Sequence, residues 1–173
     1  MTVSAERKRE VRERARSLVA DRGVSRPPVP VDRIAKALNI FVQYAPLDEE
    51  LSGMAFIKDA SAVIAVNALH HPNRQRFTIA HELAHHVLHE WHLRTGVHVD
   101  KVILERASLA ALGVDDLEIE ANAFASELLM PRDLFEPLVH QEIDLNDEAQ
   151  LTVLAKRFRV SMAALQFRLA ALD

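Results

Sequence analysis

The sequence predicts an α+β fold in which two helices, a small sheet and a run of further helices follow one another along 173 residues. Three observations carry that reading. Apolar residues recur at helical spacing before residue 39, three short strand-like runs lie between residues 40 and 66, and helical spacing returns from Pro72 to the end.

Ser4 is placed to cap a first helix reaching about Arg22. Its Val11, Ala15, Leu18 and Val19 form one apolar stripe, and Gly23 supplies a stop. Residues 25–30 read as a stiff, proline-rich connector. Val31, Ile34, Ala35 and Leu38 mark a second helix ending near Asn39. Strands are expected at Ile40–Tyr44, Ser52–Lys58 and Ala60–Val66, with Asp59-Ala60 suited to a tight hairpin. Pro72 fits the first turn of the next helix, which is predicted to run to about Trp91. Residues 93–114 give little pattern beyond helical spacing over Val102–Leu112, which Gly113 would end. Asp115 or Asp116 caps a helix through about Met130. Pro131 breaks it and opens a short helix around Leu134–Val139. Asn146 and Ser161 are the expected caps of two last helices, Asp147–Phe158 and Met162–Leu172. The expected division is a domain over residues 1–140 and a helical segment over 141–173.

Composition narrows the function classes. Hydrophobic residues make up 49% and aromatics 5%, so the core should be aliphatic. With no cysteine, a metal must be held by His, Asp or Glu. The charged first helix is not a secretory signal, and no apolar run reaches membrane-spanning length. A cytoplasmic protein is therefore expected. The net charge of -4 divides into +4 over residues 1–26, -11 over 27–150 and +3 over 151–173. An acidic body repels nucleic acid and favours a basic protein partner. The plainer reading is ordinary solvated surface charge.

Within the helix that Pro72 opens stands His81-Glu82-Leu83-Ala84-His85, an HExxH motif. Histidines four apart leave one face of a helix and can grip one metal ion. Glu82 lies beside that line, placed to take a proton from a metal-bound water. Phe77, Ile79, Ala80, Leu83, Ala84, Val87 and Leu88 make most of the helix apolar, so it should be buried. Buried histidines and a buried glutamate are costly without partners. A catalytic zinc needs a third protein ligand and an open position. The source expected is the helix carrying Glu118, Glu120 and Asn122. There Glu118 lines up with Ala121, Ala125 and Leu129, whereas Glu120 shares the other side with Glu127. Glu118 is thus the predicted ligand, Glu120 a solvated or outer group, and Asn122 a group that orients a ligand histidine. His70, His71, His86, His89, His92, His98, His140 and Tyr44 read as surface or packing residues, and none is assigned to oxyanion stabilisation.

Residues 76–86, Arg-Phe-Thr-Ile-Ala-His-Glu-Leu-Ala-His-His, followed by Glu118-x-x-Ala-Asn-x-Phe-Ala-x-x-Leu-Leu-Met-Pro131, resemble the ImmA/IrrE family of metallo-endopeptidases. The approach also fits: residues 28–38, Leu51-Ser-Gly-Met54 and Ala65-Val-Asn67. The resemblance covers about residues 8–140 and implies a gluzincin-like fold. It implies zinc on His81, His85 and Glu118, with Glu82 as catalytic base; a His/His/Glu set also tolerates manganese. Such proteins typically cleave a helix-turn-helix (XRE-type) repressor and so release stress-response or mobile-element genes. The partner expected is a separately encoded repressor, with a regulator that binds a protein partner or DNA without cutting as the alternative. Residues 154–169 resemble a helix-turn-helix, but Arg168 is the one basic residue in its second helix. Packing or substrate docking is expected of it rather than DNA binding. A substrate strand is expected to pair with the edge of Ser52–Lys58 or Ala60–Val66.

Overall fold

The computed structural model of the chain describes residues 3–101 and 114–172. Among them are eight helices and a four-stranded mixed sheet, an α+β fold. Helices α1 (Ala5–Asp21) and α2 (Val31–Ala37) precede strands β1 (Ile40–Ala45), β2 (Leu51–Lys58) and β3 (Ser61–Asn67). Then come α3 (Pro72–Leu88), a single turn α4 (Glu90–Leu93), and a strand β4 (His98–Lys101) that local spacing does not predict. The chain ends with α5 (Val114–Leu129), α6 (Arg132–Glu142), α7 (Glu148–Phe158) and α8 (Met162–Leu169). The helix expected over Val102–Leu112 lies outside the described residues.

Local chemistry accounts for most boundaries. The Ser4 hydroxyl accepts from the Arg7 amide and the Ser161 hydroxyl from the Ala164 amide, as N-caps do. Asp147, not Asn146, caps α7, because its carboxylate takes both the Ala149 and Gln150 amides. Gly23 at φ 63° and Asn39 at φ 59° adopt the left-handed backbone that ends helices. Asp59 and Ala60 both have positive φ, the geometry of a two-residue hairpin turn. The helix of the HExxH motif stops at Leu88 instead of Trp91, and His89 separates it from α4.

The sheet order is β1-β3-β2-β4, with β1 parallel to β3, and β2 antiparallel to both β3 and β4. β3 is therefore interior and cannot offer an edge to a substrate. The outer edge of β2 is taken between Leu51 and Ala55 by β4. Asn67 at the end of β3 is buried and ties down the loop before β2: its Nδ2 donates to the carbonyls of Leu47, Asp48 and Leu51. Helix α3 lies across β2 and β3, and His86 anchors it with Nε2 2.9 Å from the Val63 carbonyl.

Helix α1 packs along α5. Arg7 makes a two-pronged bond to Glu120, and Arg16 lies 3.3 Å from Glu127. The basic first helix thus meets the carboxylates on the side of α5 that sequence spacing assigns to solvent. One apolar core runs from Val11 through Ile64 and Phe124 to Leu165 in α8. Arg76 binds the carbonyls of Val29 and Arg159, joining the connector before α2 to the turn between α7 and α8. Among the described residues no helix is long and apolar enough to cross a membrane.

Candidate metal centre

Helix α3 begins with Pro72 in its first turn, and the His71 ring accepts from the Asn73 amide. Two turns further on, His81 and His85 leave the same buried face with their Nε2 atoms 3.3 Å apart. Helix α5 brings the third group. Glu118 Oε2 lies 3.2 Å from His81 Nε2, and its Oε1 lies 3.3 Å from His85 Nε2. The three residues singled out in the sequence as ligands therefore converge. Glu82 is fully buried beside them, and neither carboxylate oxygen has a hydrogen-bond partner.

A fourth group completes the cluster. His98, on β4, is 7% exposed, its ring stacks on His85 with centroids 3.7 Å apart, and its Nε2 is 3.3 Å from Glu118 Oε1. One ligand atom each from His81, His85, His98 and Glu118 lie within 4.8 Å of one another; His81, Glu82 and Asp100 form an overlapping group. His98, read from sequence as a surface or packing residue, is thus buried at this cluster and not at the surface. The strand over 98–101 turns His98 and Asp100 to one face, but four residues are too few for that alternation to be read from the sequence.

The outer groups fix the imidazoles. His81 Nδ1 is 3.1 Å from Asn122 Oδ1, the contact expected from Asn122. Asn122 Oδ1 accepts, so His81 carries a proton on Nδ1 and turns Nε2 toward the other groups of the centre. His85 Nδ1 faces His89 Nδ1 at 3.1 Å, and His89 Nε2 meets Glu120 Oε2 at 3.0 Å. Glu120 is therefore a buried outer group rather than a solvated one. His89, read from sequence as packing or surface, belongs to the same chain of contacts. Tyr44 donates to Asp32 Oδ1 at 2.8 Å, on the edge strand farthest from β4.

Electrostatics follow from burial and crowding. Burial pushes the Glu82 carboxyl well above its usual range, and nearby Asp100 and Glu118 add to this against His81. Burial disfavours charge on His81, but Glu118, Glu82 and Asp100 outweigh it and raise the ring to about 9. Burial takes His85 down to about 3 and His98 to about 4, so both are neutral and keep lone pairs at physiological pH. Burial would raise Glu118, yet the facing His81 and His85 rings hold it well below the carboxylate range.

These residues fit a divalent metal. His98 Nε2 and Glu118 Oε1 are buried without a hydrogen-bond partner, His85 and His98 keep their lone pairs, and the inward Nε2 atoms of His81 and His85 converge on one carboxylate. A cluster of this composition could hold a divalent cation, which would take the place of the His81 proton beside Glu118. Imidazole nitrogens with one carboxylate oxygen are a zinc-type donor set.

Comparison with known proteins adds three findings. The family model for the IrrE N-terminal-like domain, of peptidase type M78, matches residues 35–170. Among solved structures, a Mycobacterium tuberculosis transcriptional regulator is similar in fold, with TM-score 0.65 and 20% identity, over 93% of this chain and 47% of that one. The chain thus spans about half the length of that protein. No curated protein matches it.

Proposed function

From the premise that the chain belongs to the IrrE N-terminal-like, M78 peptidase family, we propose that it is a zinc-dependent endopeptidase whose substrate is a separately encoded helix-turn-helix (XRE-type) repressor. Cutting that repressor would release stress-response or mobile-element genes. The observation that carries the catalytic part is the fully buried Glu82 carboxylate, without a hydrogen-bond partner, beside His81, His85 and Glu118. A binding module has no use for such a group. A buried carboxyl with no partner costs stability and is kept where its chemistry is used.

His81, His85 and Glu118 would hold the metal. When bound, it supplies charge stabilisation at the scissile carbonyl and a water acidic enough to react near neutrality. Glu82, raised by burial, is suited to the proton transfers: it accepts the proton of the attacking water and returns it to the departing amine. Asn122 and His89 keep the two imidazoles in register, so the site needs little rearrangement before reaction.

The second reading is an IrrE-like regulator that binds a protein partner without cutting. The presence of His98 as a fourth group at the centre favours it, since its ring stacks on His85 and its Nε2 lies 3.3 Å from Glu118 Oε1. DNA is a poor candidate for that partner. Arg168, the one basic residue of α8, is 3% exposed and paired with Glu127.

The deciding experiment incubates the zinc-loaded protein with the helix-turn-helix repressor encoded nearest its gene and follows intact mass. A single metal-dependent cut, absent in Glu82→Gln, is the expected result. Equal cleavage by Glu82→Gln would overturn the assignment of the base. Capture of uncut repressor by both proteins would favour the binding-only regulator.

A further inference from the structure

Strand β4 approaches the centre from a direction that neither α3 nor α5 supplies. It runs antiparallel along β2, with Val99 opposite Met54 and His98 opposite Ala55. This stretch of β2 lies against the catalytic helix: a Cβ on Gly53 would stand 2.5 Å from Thr78 Cγ2 and 3.7 Å from Glu82 Cγ. β4 therefore occupies the sheet edge nearest the base. That is the edge on which an extended peptide would have to pair to reach the site.

The side chains of β4 are turned to match. Alternation sends His98 and Asp100 to the same face, and both enter the cluster around His81. His98 Nε2 is buried, has no hydrogen-bond partner, and points to within 3.3 Å of a Glu118 oxygen. A histidine placed for packing would satisfy that nitrogen or leave it in water. Here it adds a third imidazole to a set that already has enough protein ligands for a catalytic metal.

Resting on the metallopeptidase reading above, we propose that His98 is a fourth protein ligand and that β4 is a built-in closure holding the peptidase latent. A metal with four protein ligands is closed, whereas a catalytic zinc keeps one position open. In this arrangement β4 fills two places a substrate needs, the open ligand position and the edge of β2. Activation is the exchange of one antiparallel strand for another, with the substrate segment replacing β4. The closure is built to yield: β4 is four residues long, and its ladder to β2 is irregular between Leu51 and Gly53.

The test uses the full chain loaded with cobalt or zinc, as wild type, His98→Ala and Val99→Pro. The proline variant keeps every ligand, but its fixed φ does not suit a strand and loosens β4 from β2. Zinc affinity is measured by competition with a chromophoric chelator. Access is measured by titrating acetohydroxamate against the visible spectrum of the cobalt protein. Both variants should bind zinc at least about 10-fold more weakly, a loss no smaller than removal of an outer partner causes. Both should also take up acetohydroxamate at concentrations at least about 10-fold lower than wild type does. Equal zinc affinity and equal hydroxamate midpoints in all three proteins would overturn the closure and leave the metallopeptidase reading standing. Failure of all three to bind either metal would overturn both. If His98→Ala does not fold, as judged by circular dichroism, Val99→Pro alone decides.

Discussion

His89 and Glu120 are joined at 3.0 Å, Nε2 to Oε2, and this contact sets the state of a residue that neither belongs to. Glu120 also receives Nε and Nη2 of Arg7 at 3.0 and 2.9 Å, which keeps it ionised and accepting. His89 must then carry its proton on Nε2, so its Nδ1 is an acceptor. His85 Nδ1, 3.1 Å away, has to be the donor. The Nε2 lone pair of His85 is thereby directed into the metal centre. A contact on α1 fixes a tautomer on α3.

His89→Ala should therefore weaken zinc binding by about 10–100-fold while leaving every ligand in place. Glu120→Gln should act in the same direction, because an amide does not select the Nε2-protonated form as firmly. Chelator competition on the purified variants measures both. Unchanged affinity in His89→Ala would mean that His85 finds its tautomer without help.

Gly53 gives a prediction about stability rather than chemistry. A methyl group there would stand 2.5 Å from Thr78 Cγ2 and 2.7 Å from the Ala65 carbonyl oxygen, and the carbonyl is backbone that cannot yield. Gly53→Ala should cost about 1–3 kcal/mol, seen as a lower urea midpoint at unchanged slope. Gly96→Ala is the control. Nothing lies within 4 Å of its Cβ, and that variant should be neutral within about 0.5 kcal/mol. Equal stability of the two variants would show that β2 and α3 can separate at little cost.

The HExxH helix and the placement of Glu118 beside His81 and His85 were legible because helical periodicity projects residues onto faces, and a buried face needs partners. The same projection failed on the other side of α5. Glu120 and Glu127 have the spacing of solvent-facing charges, and nothing in their own helix reveals that α1 lies against them. His98 was illegible for a related reason. Its placement depends on a four-residue strand pairing with β2, and short strands carry too few residues for a pattern. Asn122 was legible because one helical turn from Glu118 leaves few places for its amide. The mixed sheet order, with β3 inside, depends on long-range pairing that local spacing does not encode.

Tyr44 titrates under its own conditions and can be watched alone, being the one tyrosine in the chain. Partial burial of the phenol, and then its hydrogen bond to Asp32, push it up to about 12 from an ordinary value near 10. A raised folded value means that the native state keeps the proton longer than the unfolded chain. This stabilisation is complete below about pH 10 and is lost as pH rises toward about 12. Phenolate absorbance should accordingly rise later in the native protein than in urea-unfolded protein. Asp32→Asn should bring the native curve part of the way down. Coincident native and unfolded curves would rule out the Tyr44–Asp32 contact in solution.

Arg168 separates structural from nucleic-acid roles for the last two helices. Its Nη2 lies 2.8 Å from Glu127 Oε2, its Nε donates to the Met130 carbonyl at 2.9 Å, and its guanidinium lies 5.5 Å from the Phe135 ring centroid. Glu127 is 1% exposed, so Arg168→Ala strands a buried carboxylate that, among the described residues, keeps Arg16 at 3.3 Å and the Arg132 amide at 2.8 Å. Loss of one partner of such a pair costs about 3–5 kcal/mol, and the remaining contacts favour the lower end. Urea unfolding should show that loss. Retention on DNA, if there is any, should keep its salt dependence unchanged after correction for the unfolded fraction. A DNA-contacting arginine would behave in the opposite way, with stability intact and the salt slope reduced by about one unit. That second pattern would mean that α8 swings Arg168 out of the core to meet phosphate, and the packing role assigned to it would fall.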